Sequence, residues 1–174
     1  MARKIRTAFF GGSFNPIHEG HLALAKFLSD NKLADEIWFV VSPKNPLKET
    51  ADPDDAEIRY KRVVAALKDM PFCSASDIEF NLPIPSYTID TLRYAELNFP
   101  EREFILLIGG DNLDVFEKWK DYQYILNHYD ILVYPRIGAT NTVSPDWHRV
   151  TILDAPMMDI SSTELRGKNT KMFH

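Results

Sequence analysis

Apolar positions along the chain fall into short continuous runs separated by longer segments of helical period. Ile5–Phe10, Glu36–Val41 and Glu103–Ile108 are the strongest runs, the last (Glu-Phe-Ile-Leu-Leu-Ile) the clearest; Asp130–Tyr134 and Val150–Leu153 are shorter, and Phe72–Ser76 is weak. Unbroken apolar runs of about four to eight residues read as strands covered on both faces. Between them, Leu22–Leu28 places apolar side chains at Leu22, Leu24, Ala25 and Leu28, the spacing of one helix face. Ala56–Lys68 and Tyr87–Leu97 also predict helices. Asp52-Pro53-Asp54-Asp55 suits the start of the former, and Ser86 or Thr88 is expected to cap the latter. Leu113–Phe116 and Tyr122–Asn127 predict short helical pieces, and Ser161-Ser162-Thr163-Glu164 opens a last helix. Asp77–Ser86 and Gly138–Asp146 read as loops.

Alternation of buried strands with helices predicts an α/β fold: a single doubly wound parallel sheet, Rossmann-like, with helices on both faces. Residues 1–174 are expected to form a single domain. Such sheets bind ligands at the carboxyl ends of their strands. The loops after Phe10, Val41, Ile108 and Leu153 should therefore lie along one edge, and these loops carry the unusual residues of the chain.

The first is Gly11-Gly12-Ser13-Phe14-Asn15-Pro16-Ile17-His18-Glu19-Gly20-His21. Gly11 and Gly12 are expected to let the backbone turn tightly and approach a ligand closely. The helix start that follows offers unpaired amides and a positive dipole end, an anion site. His18 and His21 project from one face of that turn and can donate to phosphate oxygens without a metal. Zinc is the weaker reading of the pair, because the i, i+4 His-Glu-x-x-His pattern is absent. In the second loop, Lys44 and Lys48 lie among prolines and offer point charges to phosphate. In the third, Gly109-Gly110-Asp111 closes the best strand; Asp111 suits a ribose hydroxyl or hydrated Mg²⁺, or simply a helix cap. In the fourth, Ser161, Ser162 and Arg166 surround a second helix start, where arginine can fork onto two phosphate oxygens.

Composition narrows the class. Hydrophobic residues make up 45% of the 174, so a packed globular protein is expected. A net charge of −5 argues against a nucleic-acid binder, though it leaves room for a locally basic pocket. The one cysteine, Cys73, allows neither an intrachain disulfide nor a thiolate cluster. The basic start Met1-Ala2-Arg3-Lys4 enters too short an apolar run for a signal peptide, and no stretch is long and apolar enough to span a membrane. A cytoplasmic protein without nucleic-acid or membrane partners is expected.

Together these residues resemble the nucleotidylyltransferase superfamily, specifically the bacterial nicotinate-nucleotide adenylyltransferases. The family's glycine-rich His-x-Gly-His loop matches Gly11–His21, and its Ser-Ser-Thr-x-(Ile/Leu)-Arg motif matches Ser161–Arg166. Pro43–Lys48 is similar to its proline-lysine loop, and Pro85–Leu92 to its substrate-side Ser-Tyr-Thr-x-x-Thr-Leu segment. Ile108–Asp111 and Trp119-Lys120 resemble its Gly-x-Asp and tryptophan positions; the likeness runs from roughly residue 5 to 166. The family usually has aspartate where Asn15 stands. Its members usually continue past the arginine motif, so the chain is expected to lack their C-terminal helical extension.

The resemblance implies adenylyl transfer from ATP to nicotinate mononucleotide, giving nicotinate adenine dinucleotide and pyrophosphate, a step of NAD biosynthesis. It implies His18, His21, Lys48 and Arg166 as catalytic residues. ATP would be held by Gly12, Ser13, Phe14, both histidines, Gly109, Asp111, Ser161, Ser162 and Arg166. Asn15, Lys48, Ser86, Tyr87, Thr88 and Trp119 would bind the mononucleotide, and Mg²⁺ would be carried by the ATP phosphates with no dedicated protein metal site. A homo-oligomer stays open. Phosphopantetheine adenylyltransferase or a cytidylyltransferase, which share the end motifs, and a catalytically silent nucleotide-binding module are the alternatives.

Overall fold

The computed structural model describes residues 3–43 and 55–155. Within them six strands form one sheet: β1 (Ile5–Gly12), β2 (Glu36–Val41), β3 (Cys73–Ser76), β4 (Arg102–Gly109), β5 (Ile131–Tyr134) and β6 (Val150–Ile152). Their order is β3-β2-β1-β4-β5-β6 and every pairing is parallel. The helices between them are α1 (Glu19–Asp30), α2 (Ala56–Ala66), α3 (Thr88–Asn98), α4 (Gly110–Asp114) and α5 (Tyr122–His128).

The continuous apolar runs are explained by two cores. Ala8, Phe10, Ile37, Phe39, Val41, Ile105 and Leu107 enter one, under Leu24, Ala25 and Leu28 of α1 and Val63 of α2. Phe9, Trp38, Val40, Phe104, Leu106 and Ile108 enter the other, under Ile89, Leu92 and Ala95 of α3 and Ile125 of α5. Successive strand residues thus alternate between faces that are both covered, which is why no polar alternation is visible in the sequence. Strand order reverses between β1 and β4, so a crevice opens at their carboxyl ends.

Several boundaries differ from expectation. Gly11 and Gly12 are not the turn: both are ladder residues of β1, in register with Val40 and Val41. The chain turns after them, and the left-handed residue is Phe14 at φ 47. That conformation costs a non-glycine residue about 1–2 kcal/mol, and here it comes with burial of the ring against Phe10 and Phe39 at 5.4 and 5.3 Å. Helix α1 begins at Glu19, before the first apolar-periodic residue. The cap of α3 is Tyr87, not Ser86 or Thr88, and its side chain makes no capping bond. In place of a helix over 113–116, α4 starts at Gly110 and a 3-10 turn covers Phe116–Lys118. The loop over 77–86 contains a 3-10 turn, Ile78–Asn81.

That turn buries a carboxyl group under α3. Thr91, fully buried, donates to Glu79 Oε2 at 2.8 Å and lies 3.3 Å from the Tyr87 carbonyl. Burial raises the Glu79 pKa, and the Thr91 bond opposes that rise. Thr91→Val is expected to destabilise the fold by about 1–3 kcal/mol, since it strips a buried polar group of its partner. Urea unfolding at neutral pH measures this, and an unchanged midpoint would contradict it. Cys73 is buried and its thiol is pushed up to about 12 by burial, so it is inert. Among the described residues no helix is long and apolar enough to cross a membrane.

Candidate active site

The first loop delivers two stacked imidazoles to the crevice. The His18 and His21 ring centroids lie 3.8 Å apart with planes 28° from parallel. His18 is the N-cap of α1, and its Nδ1 accepts from the Gly20 amide at 3.1 Å. The His18 amide in turn donates to His21 Nδ1 at 3.1 Å, so the pair forms a reciprocal capping box. Each Nδ1 is an acceptor of a main-chain hydrogen bond, which places the ring proton of a neutral imidazole on Nε2. The His21 ring packs edge-on against Phe10 and Phe14 at 5.9 and 5.2 Å. Three-residue spacing therefore does bring the histidines together, and it also makes each hold the other's backbone.

Electrostatics reinforce the neutral form. Burial first, then the charges of His18 and Arg136, push His21 down to about 3. Burial and Arg136 also lower His18. Both rings are thus uncharged N–H donors at neutral pH. Because folding favours the deprotonated rings, their contribution to stability is full above pH 6.5, the ordinary histidine value, and declines as pH falls below it, that of His21 on down toward about 3. In the ligand-free protein, imidazole ¹⁵N spectra are expected to show His21 as the Nε2–H tautomer still at pH 5.5; titration near 6.5 would contradict the assignment.

On the other side of the crevice, Gly109 ends β4 and Gly110 opens α4. A side chain at Gly109 would stand 2.6 Å from Asp111 Oδ1 and 2.9 Å from both Arg136 Cδ and Tyr134 Cζ, so three side chains converge on that bare position. Asp111 Oδ2 accepts from Arg136 at 3.3 Å, which makes it an ion-pair partner as well as a candidate ribose acceptor. Tyr134 lies 5.9 Å from Phe10, and burial pushes its hydroxyl up to about 12, so it stays protonated.

Arg136 is the cation that sequence reasoning missed. It follows β5, whose loop carries neither a glycine-rich nor a hydroxyl-rich signature before it. Its charge reaches both histidines. The loop is held by Asn141, whose Oδ1 accepts from the Arg136 amide at 2.9 Å while its Nδ2 donates to the Arg136 and Ala139 carbonyls at 2.9 and 3.3 Å. Thr140 ties the loop to Asp114 of α4, amide to Oδ2 at 3.1 Å and hydroxyl to Oδ1 at 2.5 Å.

Of the expected substrate-side residues, Ser86, Tyr87 and Thr88 lie at the start of α3, on the opposite face of the sheet from α1. Tyr87 is exposed, and Lys120 Nζ lies 4.9 Å from its ring centroid and 2.9 Å from Asp90 Oδ2. Trp119 is half-buried and packs on Phe116 at 4.8 Å, so part of its ring belongs to the core. Thr88 is the first residue of α3. Ser86 Oγ is buried with no hydrogen-bond partner among the described residues. Asn15 is also buried, at 2% exposure, and Phe14 contributes its ring to the core as well as backbone to the loop.

Comparison with known proteins bears on the family and the fold. The cytidylyltransferase-like family model matches residues 9–168. The "Probable nicotinate-nucleotide adenylyltransferase" of Cytophaga hutchinsonii is 43% identical over 94% of this chain and 85% of its own length. The Bacteroides fragilis protein of the same name is 45% identical over 98% of this chain and 87% of its own. The chain belongs to the nicotinate-nucleotide adenylyltransferase family. A Plasmodium falciparum nicotinic acid mononucleotide adenylyltransferase complexed with NaAD superimposes with a TM-score of 0.78 at 18% identity, covering 94% of this chain and 83% of that one. At that identity the likeness is one of fold, and it is to the same six-stranded architecture.

Four expected site residues of this family member, Lys48, Ser161, Ser162 and Arg166, lie outside the described residues. Those described supply imidazole N–H, main-chain amide and one exposed carboxylate, Asp111, and Arg136 adds a guanidinium. Among the described residues no group of three His, Cys, Asp or Glu side chains is placed to hold a metal ion. That donor set suits anionic phosphate, and the exposed Asp111 carboxylate suits a hydrated Mg²⁺.

Proposed function

We propose that the chain transfers the adenylyl group of ATP to nicotinate mononucleotide, giving nicotinate adenine dinucleotide and pyrophosphate, a step of NAD biosynthesis. The observation that carries the chemistry is the His18–His21 pair: two neutral rings, each with Nδ1 engaged by backbone, at the start of α1 and at the sheet's switch point. The substrate follows from the names of the relatives at 43% and 45% identity.

A phosphate oxygen of the mononucleotide attacks the α-phosphorus of ATP, the bond to the bridging oxygen breaks, and pyrophosphate leaves with its electron pair. The nucleophile is already anionic, so no general base is required, and catalysis is positioning plus neutralisation of developing charge. His21 and His18 donate to phosphate oxygens, His21 at the reacting α-phosphoryl. Being neutral in the free protein, they offer donors without needing protonation. The Gly12–Phe14 backbone cradles the nucleotide, and Arg136, paired with Asp111 in the free protein, is available to exchange that partner for phosphate. Mg²⁺ carried by ATP would supply further neutralisation of phosphate charge. Lys48 and, on the departing pyrophosphate, Ser161, Ser162 and Arg166 keep the roles the resemblance implies. On the other face, Ser86, Tyr87, Thr88 and Trp119 surround the pyridine ring, with amides near Thr88 or Trp119 receiving its carboxylate; the absence of a side-chain cap on α3 is consistent with this.

A panel of acceptors assayed for pyrophosphate release tests the reading. Turnover is expected with ATP and nicotinate mononucleotide. Turnover only with phosphopantetheine, or only with CTP as donor, would replace it with another transferase of the superfamily. ATP binding without pyrophosphate from any acceptor would leave a silent nucleotide-binding module.

A further inference from the structure

Arg59 lies on α2, away from the expected motifs, and at 2% exposure it is among the largest fully buried side chains. Its Nη1 donates to the carbonyls of Ser13 and Ser42 at 2.9 and 2.8 Å, and its Nη2 to the carbonyl of Pro43 at 3.2 Å. Ser13 is the first residue after β1, and Ser42 and Pro43 are the first two after β2. One guanidinium therefore grips both chain exits, which are also joined by the Ser42 amide donating to the Gly12 carbonyl at 2.9 Å.

Holding α2 on the sheet does not require such a residue. Val63 does this with an apolar side chain, and an apolar residue at a buried site avoids the desolvation of a charge. What the fork does is orient peptide planes. In a trans peptide the carbonyl of one residue and the amide of the next point in opposite directions. With the Ser13 carbonyl turned toward Arg59, the Phe14 N–H is turned away from it. Gly12–Phe14 is the backbone expected to cradle the nucleotide, and its left-handed Phe14 needs external support to hold that peptide orientation.

We infer that Arg59 is a positioning residue of the nucleotide site: its fork fixes the Ser13–Phe14 peptide plane and couples it to the exit of β2, so that ATP bound at one loop is felt at the other. This rests on the adenylyl-transfer reading above. Lysine does not reproduce the fork, because one ammonium cannot stand at both the Nη1 position, which serves the Ser13 and Ser42 carbonyls, and the Nη2 position, which serves Pro43.

The test combines Arg59→Lys, which keeps the charge, and Arg59→Met, which fills the space, with ATP calorimetry, steady-state kinetics and hydrogen–deuterium exchange. In the wild type, ATP is expected to slow exchange at both Phe14 and Ser42. In either variant, assayed well below its Tm, ATP binding and kcat/KM are expected to fall about tenfold or more, with Ser42 no longer responding to ATP. Wild-type affinity and joint protection in a folded variant would overturn the inference, since a purely structural arginine lowers Tm alone. Should neither variant fold, wild-type exchange decides: a response at Phe14 without one at Ser42 overturns the coupling, and a joint response supports it. Wild-type protein that binds ATP with joint protection but releases no pyrophosphate with nicotinate mononucleotide removes the reaction and leaves Arg59 in its role. Failure to bind ATP at all removes both.

Discussion

Replacing His21 with alanine is expected to lower kcat by about 10²-fold or more, the usual cost of a lost transition-state donor. The size of the effect follows from where the ring sits. Its Nδ1 is committed to the His18 amide, its ring stacks on His18 and packs edge-on against Phe10 and Phe14, and burial holds it neutral, so Nε2–H is a donor whose direction is set before substrate arrives. Alanine removes that donor and also the acceptor that caps α1, which costs stability by about 1 kcal/mol. The two losses separate in His21→Asn, whose short amide can still accept from the His18 backbone but does not reach as far as Nε2. The expected pattern is a Tm nearer to wild type in the asparagine variant with kcat still low. Full kcat in a folded alanine variant would remove His21 from the mechanism.

Gly110→Ala is expected to damage the site from the opposite side of the crevice. The added methyl would stand 2.1 Å from Asn141 Oδ1 and 3.3 Å from Ala139 Cβ. The Asn141 amide cannot swing aside cheaply, because it accepts from the Arg136 amide and donates to two carbonyls of the same loop. Overpacking of this kind costs about 1–3 kcal/mol. The functional effect runs through Arg136: once Asn141 shifts, the guanidinium beside Asp111 loses its place, and KM for ATP is expected to rise about tenfold, as for lost positioning. Asn141→Gly supplies the relief test, since it removes the obstructing atom and suits the φ of 53 at that position. In that background Gly110→Ala should cost much less than alone. Strict additivity of the two changes would show that the clash is not the cause.

How much of this was legible in the sequence depends on whether the physics is local. Burial on both faces produces unbroken apolar runs, so β1, β2 and β4 could be located from composition and run length, and the parallel sheet followed from their alternation with helices. The histidine loop was legible as well, because spacing within one turn of helix determines which side chains meet. Adjacent glycines were misleading. Gly11 and Gly12 read as a turn, but the ladder continues through them and Phe14 takes the left-handed conformation. Gly109 is bare for a tertiary reason, the convergence of Asp111, Tyr134 and Arg136, which no local rule reveals. Arg136 and Arg59 were missed for the same reason. One acts from the end of β5 and the other from inside α2, and both matter through partners more than ten residues away in sequence.

The central claim is that the crevice between β1 and β4 joins nicotinate mononucleotide to the adenylyl group of ATP. Mass analysis of the products from ATP labelled in the α-phosphate tests it most directly. The account predicts one labelled nicotinate adenine dinucleotide for each unlabelled pyrophosphate, at a rate that collapses in His21→Ala. Label retained in ATP or AMP, or a labelled dinucleotide formed equally well without His21, would contradict it.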